Sequence, residues 1–424
     1  MVSDCLLNTL ANAEDYDPHS MAVEKARDFI HRTLGPVCGV ECVPLKEAIG
    51  RTLALDILAP LNVPGYDNSA MDGYALRFSD VIADGETCLK RIGESFAGRP
   101  FCGMVGIGEC VRIFTGAIMP DGADTVVMQE KTEEMNGVVC IAANSVAAAG
   151  QNRRFAGEDI VRGEIVFTRG QRIGAPELGI LASLGIAEIF VYRRLRVAFF
   201  STGDELTPLG APLAAGQIYD SNRYSLYGML RQLEVTPIDL GAVPDTPDAL
   251  DRMLTDAAQN ADVVISIGGV SVGDADFVKE VLKKRGKILS WKLAMKPGKP
   301  LAYGVLGNAH FFGLPGNPVS AMVTFYQFVR EALLILQGQI VPSPTLWRAT
   351  LTASVKKSAG RTEFQRGVCE NRGGQMVVTP APEQGSGILS SMTRANCFIV
   401  LQRETGKLSA GETVDIQMFT GLVE

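Results

Sequence analysis

Between residues 195 and 314 one pattern recurs five times: a short apolar run rich in β-branched and aromatic residues, then a polar loop. The loops read Ser-Thr-Gly-Asp204-Glu205-Leu after Arg196-Val-Ala-Phe-Phe, Pro244-Asp245 after Asp239-Leu-Gly-Ala-Val, and Gly268-Gly269-Val-Ser271-Val-Gly273-Asp-Ala-Asp276 after Val263-Val-Ile-Ser. Lys292 with Lys296-Pro-Gly-Lys299, and Pro315-Gly-Asn-Pro318, complete the set. Strand-sized runs alternating with helical patterns predict a doubly wound α/β/α sheet. In such sheets a ligand lies beyond the carboxyl ends of the strands, so loops scattered in sequence should meet at one edge.

The intervening segments carry helical spacing. Leu226, Met229, Leu230 and Leu233 stand at i, i+3, i+4 and i+7, as do Leu250, Met253, Leu254 and Ala257. Thr246 is placed to cap the second helix and Pro247 suits its first position. A third pattern holds Val278, Val281 and Leu282, and a long apolar helix is expected over 318–337, ending at Gly338.

At 424 residues the chain is too long for one core, and outside the sheet region its texture changes. A mobile tail is expected over 1–17 and a helix over 19–34, joined in a mixed linker domain by 157–192, with a helix near 176–184. Short apolar runs punctuated by glycine over 62–156 predict a mostly β insertion, and alternating segments after residue 341 predict a small C-terminal β-barrel. The domains are thus 18–61 with 157–192, 62–156, 193–340 and 341–424.

A net charge of −7 argues against a nucleic-acid surface. The acidic N-terminus lacks the pattern of a signal peptide, and the apolar stretch at 178–192 is short for a membrane span, so a cytoplasmic protein off the membrane is expected. Nine cysteines without a C-x-x-C pair are read as reduced thiols, not as a zinc site.

Within the loops, the glycine turn at 268–273 offers backbone N–H groups to phosphate, although such turns also serve packing. It matches neither the triphosphatase nor the dinucleotide fingerprint. Glu205, Asp245 and Asp276 at one edge suit a hard cation such as Mg²⁺, and each also suits helix capping. Lys292, Lys296 and Lys299 flank prolines that stiffen their loop for anion capture. Asn317 and Pro318 start a helix whose N–H groups attract negative charge. Polar residues also cluster with glycine at 67–75, 112–117, 151–159, and around Arg361, Arg366 and 384–386.

Together these strings resemble the molybdopterin molybdenumtransferases, a gephyrin E-domain-like family of molybdenum-cofactor biosynthesis. The specific parts are Asp67-Asn-Ser-Ala-Met-Asp-Gly-Tyr-Ala, Ser201-Thr-Gly-Asp-Glu-Leu, Ser266-Ile-Gly-Gly-Val-Ser-Val-Gly-Asp-Ala-Asp, Met295-Lys-Pro-Gly-Lys-Pro and Gly313-Leu-Pro-Gly-Asn-Pro-Val-Ser. The resemblance runs from about residue 20 to the C-terminus. It implies that the chain inserts molybdate into adenylated molybdopterin with release of AMP.

It further implies an elongated homodimer in which Asp72 and Thr115 reach the partner's cleft, with other cofactor-synthesis proteins as further partners. Glu205, Asp245 and Asp276 would hold Mg²⁺, while Lys292, Lys296, Lys299, Pro315 and Pro318 line the cleft. Gly268, Gly269 and Ser271 would contact the pterin substrate, and Ser320, Arg366 and Ser386 the oxyanion. Arg154 matches an arginine of the family's Asn-x-Arg-Arg string, whereas Arg153 and Phe155 depart from it. Two other readings stand beside this one. A molybdopterin adenylyltransferase shares the sheet domain but is a single small domain, and a receptor-clustering scaffold shares a similar domain without needing the cleft charges.

Overall fold

The computed structural model describes residues 20–37, 39–244, 246–269, 286–341 and 344–419. Its contacts divide into two compact units, Cys42–Val191 and the remainder of the chain. Asp245, Ser271 and Asp276, the expected helix around Val278 and the N-terminal tail lie outside the described residues.

The larger unit is built on a six-stranded sheet. Its strands are β1 (Arg196–Thr202), β2 (Thr236–Val243), β3 (Val263–Ile267), β4 (Gly286–Lys292), β5 (Pro300–Leu306) and β6 (Ala309–Leu314), in the order β2-β1-β3-β6-β5-β4. β2, β1, β3 and β6 run parallel, whereas β5 is antiparallel to both neighbours. The sequence pattern predicted five strands, and β5 is the sixth. It was hidden because a tight turn at Gly307 and Asn308 joins it to β6, with no intervening helix to separate two apolar runs.

Period-two alternation assigns the two faces. Val197, Phe199, Val263 and Ile265 point into one core with α1 (Ser221–Gln232) and α3 (Pro318–Leu336). Ala198, Phe200 and Val264 point into the other with Leu250, Leu254 and Ala257 of α2 (Pro247–Asn260). Strands buried on both sides must be apolar throughout, which is why β3 reads Val-Val-Ile-Ser-Ile. Thr246 holds the N-cap position of α2, as expected, but its side chain makes no capping hydrogen bond; Pro247 starts the helix.

α3 contains a π-helical stretch at Phe325–Val329. Among the described residues it is the one helix long and apolar enough to cross a membrane, and 78% of its most apolar window is buried inside the fold. The N-terminal helix Val23–Thr33, which the sequence pattern grouped with residues 157–192, packs here too. Phe29 meets Trp291 edge-on at 5.2 Å, and Arg27 and His31 each approach the buried Glu331 at 3.1 Å.

After α3, strands Trp347–Leu351, Thr362–Arg372, Gln375–Pro380, Cys397–Leu401 and Thr413–Met418 pair in a ring and close a five-stranded barrel. The long strand Thr362–Arg372 escaped the sequence reading because its buried positions include Glu363, Gln365 and Arg366. Met295–Lys296, from the connection between β4 and β5, adds in parallel to this strand and ties the barrel to the sheet.

In the smaller unit, a six-stranded sheet, predominantly antiparallel, forms from the expected β insertion. A separate core around Leu53, Ile173, Leu181 and Val191 includes the helix Ala175–Ser183. The expectation of reduced thiols throughout is overturned at one place: Cys88 and Cys140 form a disulfide. They are 52 residues apart, but the pairing of their antiparallel strands sets them directly opposite, with Cα atoms 4.1 Å apart.

Candidate active site

The carboxyl ends of β1, β3, β4 and β6 lie along one edge of the sheet, and there the β4–β5 connection meets the first turn of α3 and two barrel segments. They enclose a cavity of 520 Å³ lined by Met295–Pro300, Pro315–Asn317, Ser320, Arg361 and Gln384–Ser386. Its charged walls are Lys296, Lys299 and Arg361, with no carboxylate among the lining residues. Three cations converging on one concavity whose lining holds no carboxylate make a candidate anion-binding site; behind the wall, Lys296 is paired with the buried Glu363 at 3.7 Å.

The backbone fixes these walls. Leu293 N–H donates to the Lys299 carbonyl (2.6 Å), closing the loop, and Thr362 N–H donates to the Ala294 carbonyl (2.9 Å), pinning it to the barrel. Gly298 is required twice over: its φ is +96°, and a Cβ there would meet Thr324 Oγ1 at 2.6 Å. On the other wall, Asn222 Nδ2 donates to the Gly316 carbonyl (2.6 Å), while Val319 N–H donates to the Ser386 carbonyl (3.0 Å) and so joins α3 to the barrel loop.

Lys296, Lys299, Pro315, Ser320 and Ser386 are therefore brought together as the sequence predicted. Lys292 ends β4 and Pro318 starts α3, both outside the cavity wall. Gly268 and Gly269 follow β3 and Glu205 follows β1 along the same edge; a Cβ on Gly268, at φ +87°, would strike the Thr202 carbonyl at 2.6 Å.

Arg366 is not a wall residue. It is 1% exposed, and its guanidinium donates to Ser391 Oγ (3.1 Å) and to the Glu383 and Gly385 carbonyls (both 3.2 Å). Burial pulls its pKa down to about 10. Arg366 thus braces the loop that presents Ser386, and Arg361 is the barrel arginine in the cavity. The sequence pattern noted both, and the resemblance gave the oxyanion contact to Arg366 alone; the structure gives the wall position to Arg361 instead, because strand parity and depth, which a single chain does not reveal, turn Arg366 inward.

In the smaller unit Asp72 and Thr115 meet, although 43 residues apart. Asp72 Oδ1 accepts from Thr115 N–H (2.7 Å) and Thr115 Oγ1 (2.9 Å), and these bonds hold its carboxyl below the usual range. The contact follows from the pairing of Gly73 with Ile113, where a Cβ on Gly73 would overlap the Val127 carbonyl. Arg112 lies over the rings of Tyr74 and Phe114 at 4.9 and 5.0 Å and contacts Gln129. Arg154 is exposed, while the divergent Arg153 pairs with Asp67 and stacks on Phe155 at 4.9 Å.

Three family models match in order: the MoeA N-terminal region (domain I and II) over residues 21–185, the probable molybdopterin binding domain over 198–334, and the MoeA C-terminal region (domain IV) over 348–419. A molybdopterin molybdenumtransferase of Haemophilus influenzae is 45% identical over 95% of this chain and 100% of its own. This chain belongs to the molybdopterin molybdenumtransferase family. The family's enzyme from Bacillus subtilis is 33% identical over 89% of each chain. Among solved structures, a molybdopterin biosynthesis MoeA protein from Pyrococcus horikoshii matches with a TM-score of 0.82 at 28% identity, covering 94% of this chain and 100% of that one. For this transferase-family chain, matches to all three regions set it apart from a single-domain adenylyltransferase.

Proposed function

We propose that the chain inserts molybdate into adenylated molybdopterin and releases AMP, in the cytoplasm. The observation that carries this reading is the cavity walled by Lys296, Lys299 and Arg361 with no carboxylate in its lining. A tetrahedral dianion held there is neutralised by side chains on short, proline-stiffened or strand-anchored segments, so little reorganisation remains when the reacting groups meet. Ser320 and Ser386 add hydroxyl donors for its oxygens. Water adds across the phosphoanhydride, breaking its P–O bond to give AMP and the pterin phosphomonoester; two molybdate oxygens leave as two waters, taking the two dithiol protons and two protons from solvent, as two Mo–S bonds form.

Magnesium belongs to this reading. The strand ends present oxygen donors of the kind a hard cation takes: the Glu205 carboxylate folds back over Gly203, and the buried hydroxyls of Thr202 and Ser266 have no partner among the described residues. Glu205, with Asp245 and Asp276, would hold the ion, which when bound would polarise the phosphoanhydride. Asp72 and Thr115 are proposed to complete the cavity of a second copy in a homodimer, with other cofactor-synthesis proteins as transient partners.

The test is incubation of the purified chain with adenylated molybdopterin, molybdate and Mg²⁺, following AMP. Release that depends on molybdate is expected, and its absence overturns the reading. Sedimentation checks the dimer, and loss of turnover in Asp72→Ala that is restored by mixing with Lys296→Ala protein checks the sharing of sites.

A further inference from the structure

Cys88 and Cys140 lie on the outer face of the insertion sheet. In the strand Thr87–Ser95 the neighbours Thr87 and Leu89 are buried, and in Val138–Ile141 so are Val139 and Ile141. The positions between them therefore turn to solvent, where Cys88 is exposed and Cys140 half-buried. Two carboxylates share this face. Glu86, two residues before Cys88, holds Oε2 3.8 Å from Cys88 Sγ. Glu133, exposed, stands directly opposite Cys140 on the third strand, Thr132–Met135.

The two sulfurs and a carboxylate oxygen of Glu86 all lie within 4.8 Å of one another. The corners of a tetrahedron around Zn²⁺, with its usual bond lengths to sulfur and oxygen, are roughly 3.3–3.8 Å apart. Once the S–S bond opens, side-chain rotation alone brings these atoms to three corners, and Glu133 is the neighbour in reach of the fourth. Thiolates favour Zn²⁺ over Mg²⁺, and Lys90, two residues beyond Cys88 on the same face, offsets part of the negative charge. No C-x-x-C spacing announces the cluster, because strand register and not a local turn sets the two thiols side by side.

We propose that the reduced pair is a zinc site, with Cys88, Cys140, Glu86 and Glu133 as ligands, and that the metal and the disulfide are alternative cross-links of the same two strands. In a reducing compartment such as the cytoplasm proposed above, a dithiol reductant gives two electrons and two protons to the bridge and itself closes to a disulfide. Zn²⁺ then binds and displaces both thiol protons to solvent. In the reverse direction a small-molecule disulfide takes two electrons from the zinc-bound thiolates and leaves as two thiolates. The Cys88–Cys140 bond re-forms and Zn²⁺ is released.

The experiment is titration of the full chain with Zn²⁺ against a chromophoric chelator, in excess Mg²⁺ to occupy hard-oxygen sites. Wild type, reduced with a phosphine and desalted without oxygen, is compared with its oxidised form and with Cys88→Ser/Cys140→Ser, Glu86→Gln and Cys42→Ser/Cys102→Ser, all reduced. The reduced wild type is expected to take up a single tight equivalent, with affinity about a hundredfold above that of the oxidised form or of Cys88→Ser/Cys140→Ser, and Glu86→Gln to weaken it about tenfold. Cys42→Ser/Cys102→Ser, which removes the two exposed free thiols, should bind as wild type does. With Co²⁺ as the probe, sulfur-to-metal charge-transfer absorption should appear only where both thiols are present. Zn²⁺ should raise the melting temperature of the reduced wild type and not of the oxidised form, and the same melting curves verify that each protein is folded. Equal zinc affinity of the oxidised and reduced forms overturns the proposal, as does a tight equivalent that survives in Cys88→Ser/Cys140→Ser or disappears in Cys42→Ser/Cys102→Ser. Unchanged affinity in Glu86→Gln overturns the ligand set. None of these readouts depends on turnover, so the outcome is separate from that of the AMP-release assay.

Discussion

The ammonium of Lys296 stands 3.7 Å from the carboxylate of Glu363, in the register that pairs these residues across a two-residue parallel contact. The carboxylate side chain is 4% exposed and the lysine side chain 48%, so a buried anion orients a cation that remains open to solvent. Lys296→Ala is expected to weaken molybdate binding about tenfold, equivalent to about 1.4 kcal/mol, and to lower the melting temperature, because the buried Glu363 carboxylate loses its cation. Equilibrium binding of molybdate, measured beside thermal unfolding, checks both halves.

The two barrel arginines should separate by phenotype. Arg366→Ala removes three buried hydrogen bonds of a charged donor and strands their acceptors, so a loss of about 3 kcal/mol is expected in urea unfolding. Arg361→Ala, at an exposed wall position, is expected to leave unfolding unchanged and to weaken oxyanion binding. If both variants lost stability alike, the division between brace and wall would be wrong.

Reduction of the Cys88–Cys140 bridge should loosen the insertion sheet. Loop-closure entropy for a separation of 52 residues corresponds to about 4 kcal/mol at most. A lower melting temperature in the presence of a phosphine reductant is expected, and Cys88→Ser/Cys140→Ser should melt at that lower temperature with and without the reductant.

His310 lies buried on β6, its Nδ1 3.4 Å from the Tyr303 hydroxyl, and burial pushes its pKa down to about 4. Below pH 6.5 the unfolded chain takes up a proton that the folded chain refuses. The associated stability is complete above about pH 6.5 and is lost as pH falls through about 4, amounting to about 3 kcal/mol. Urea unfolding at a series of pH values should follow this slope in the wild type, and the His310→Gln variant should lose that component.

Much of the site was legible before any coordinates. Met295-Lys-Pro-Gly-Lys-Pro and Gly313-Leu-Pro-Gly-Asn-Pro-Val-Ser are local strings whose glycines and prolines dictate tight turns at strand ends, and both line the cavity. Asp72 and Thr115 were singled out in two separate polar strings, and the structure joins them by two hydrogen bonds. What escaped was everything set by pairing over long range. β5 was hidden by its hairpin, the strand Thr362–Arg372 by its polar interior, and Cys88–Cys140 by 52 intervening residues.

The sequence by itself determined the alternation of elements, the apolar strands buried on both faces, and which turns carry charge, because each of these follows from side-chain chemistry within a few residues. Tertiary structure alone decided that Arg361 faces the cavity while Arg366 sits behind it, and that Glu363 holds Lys296. The reason is geometric: depth and direction in a closed barrel depend on strand register, and register is fixed by partners far away in the chain.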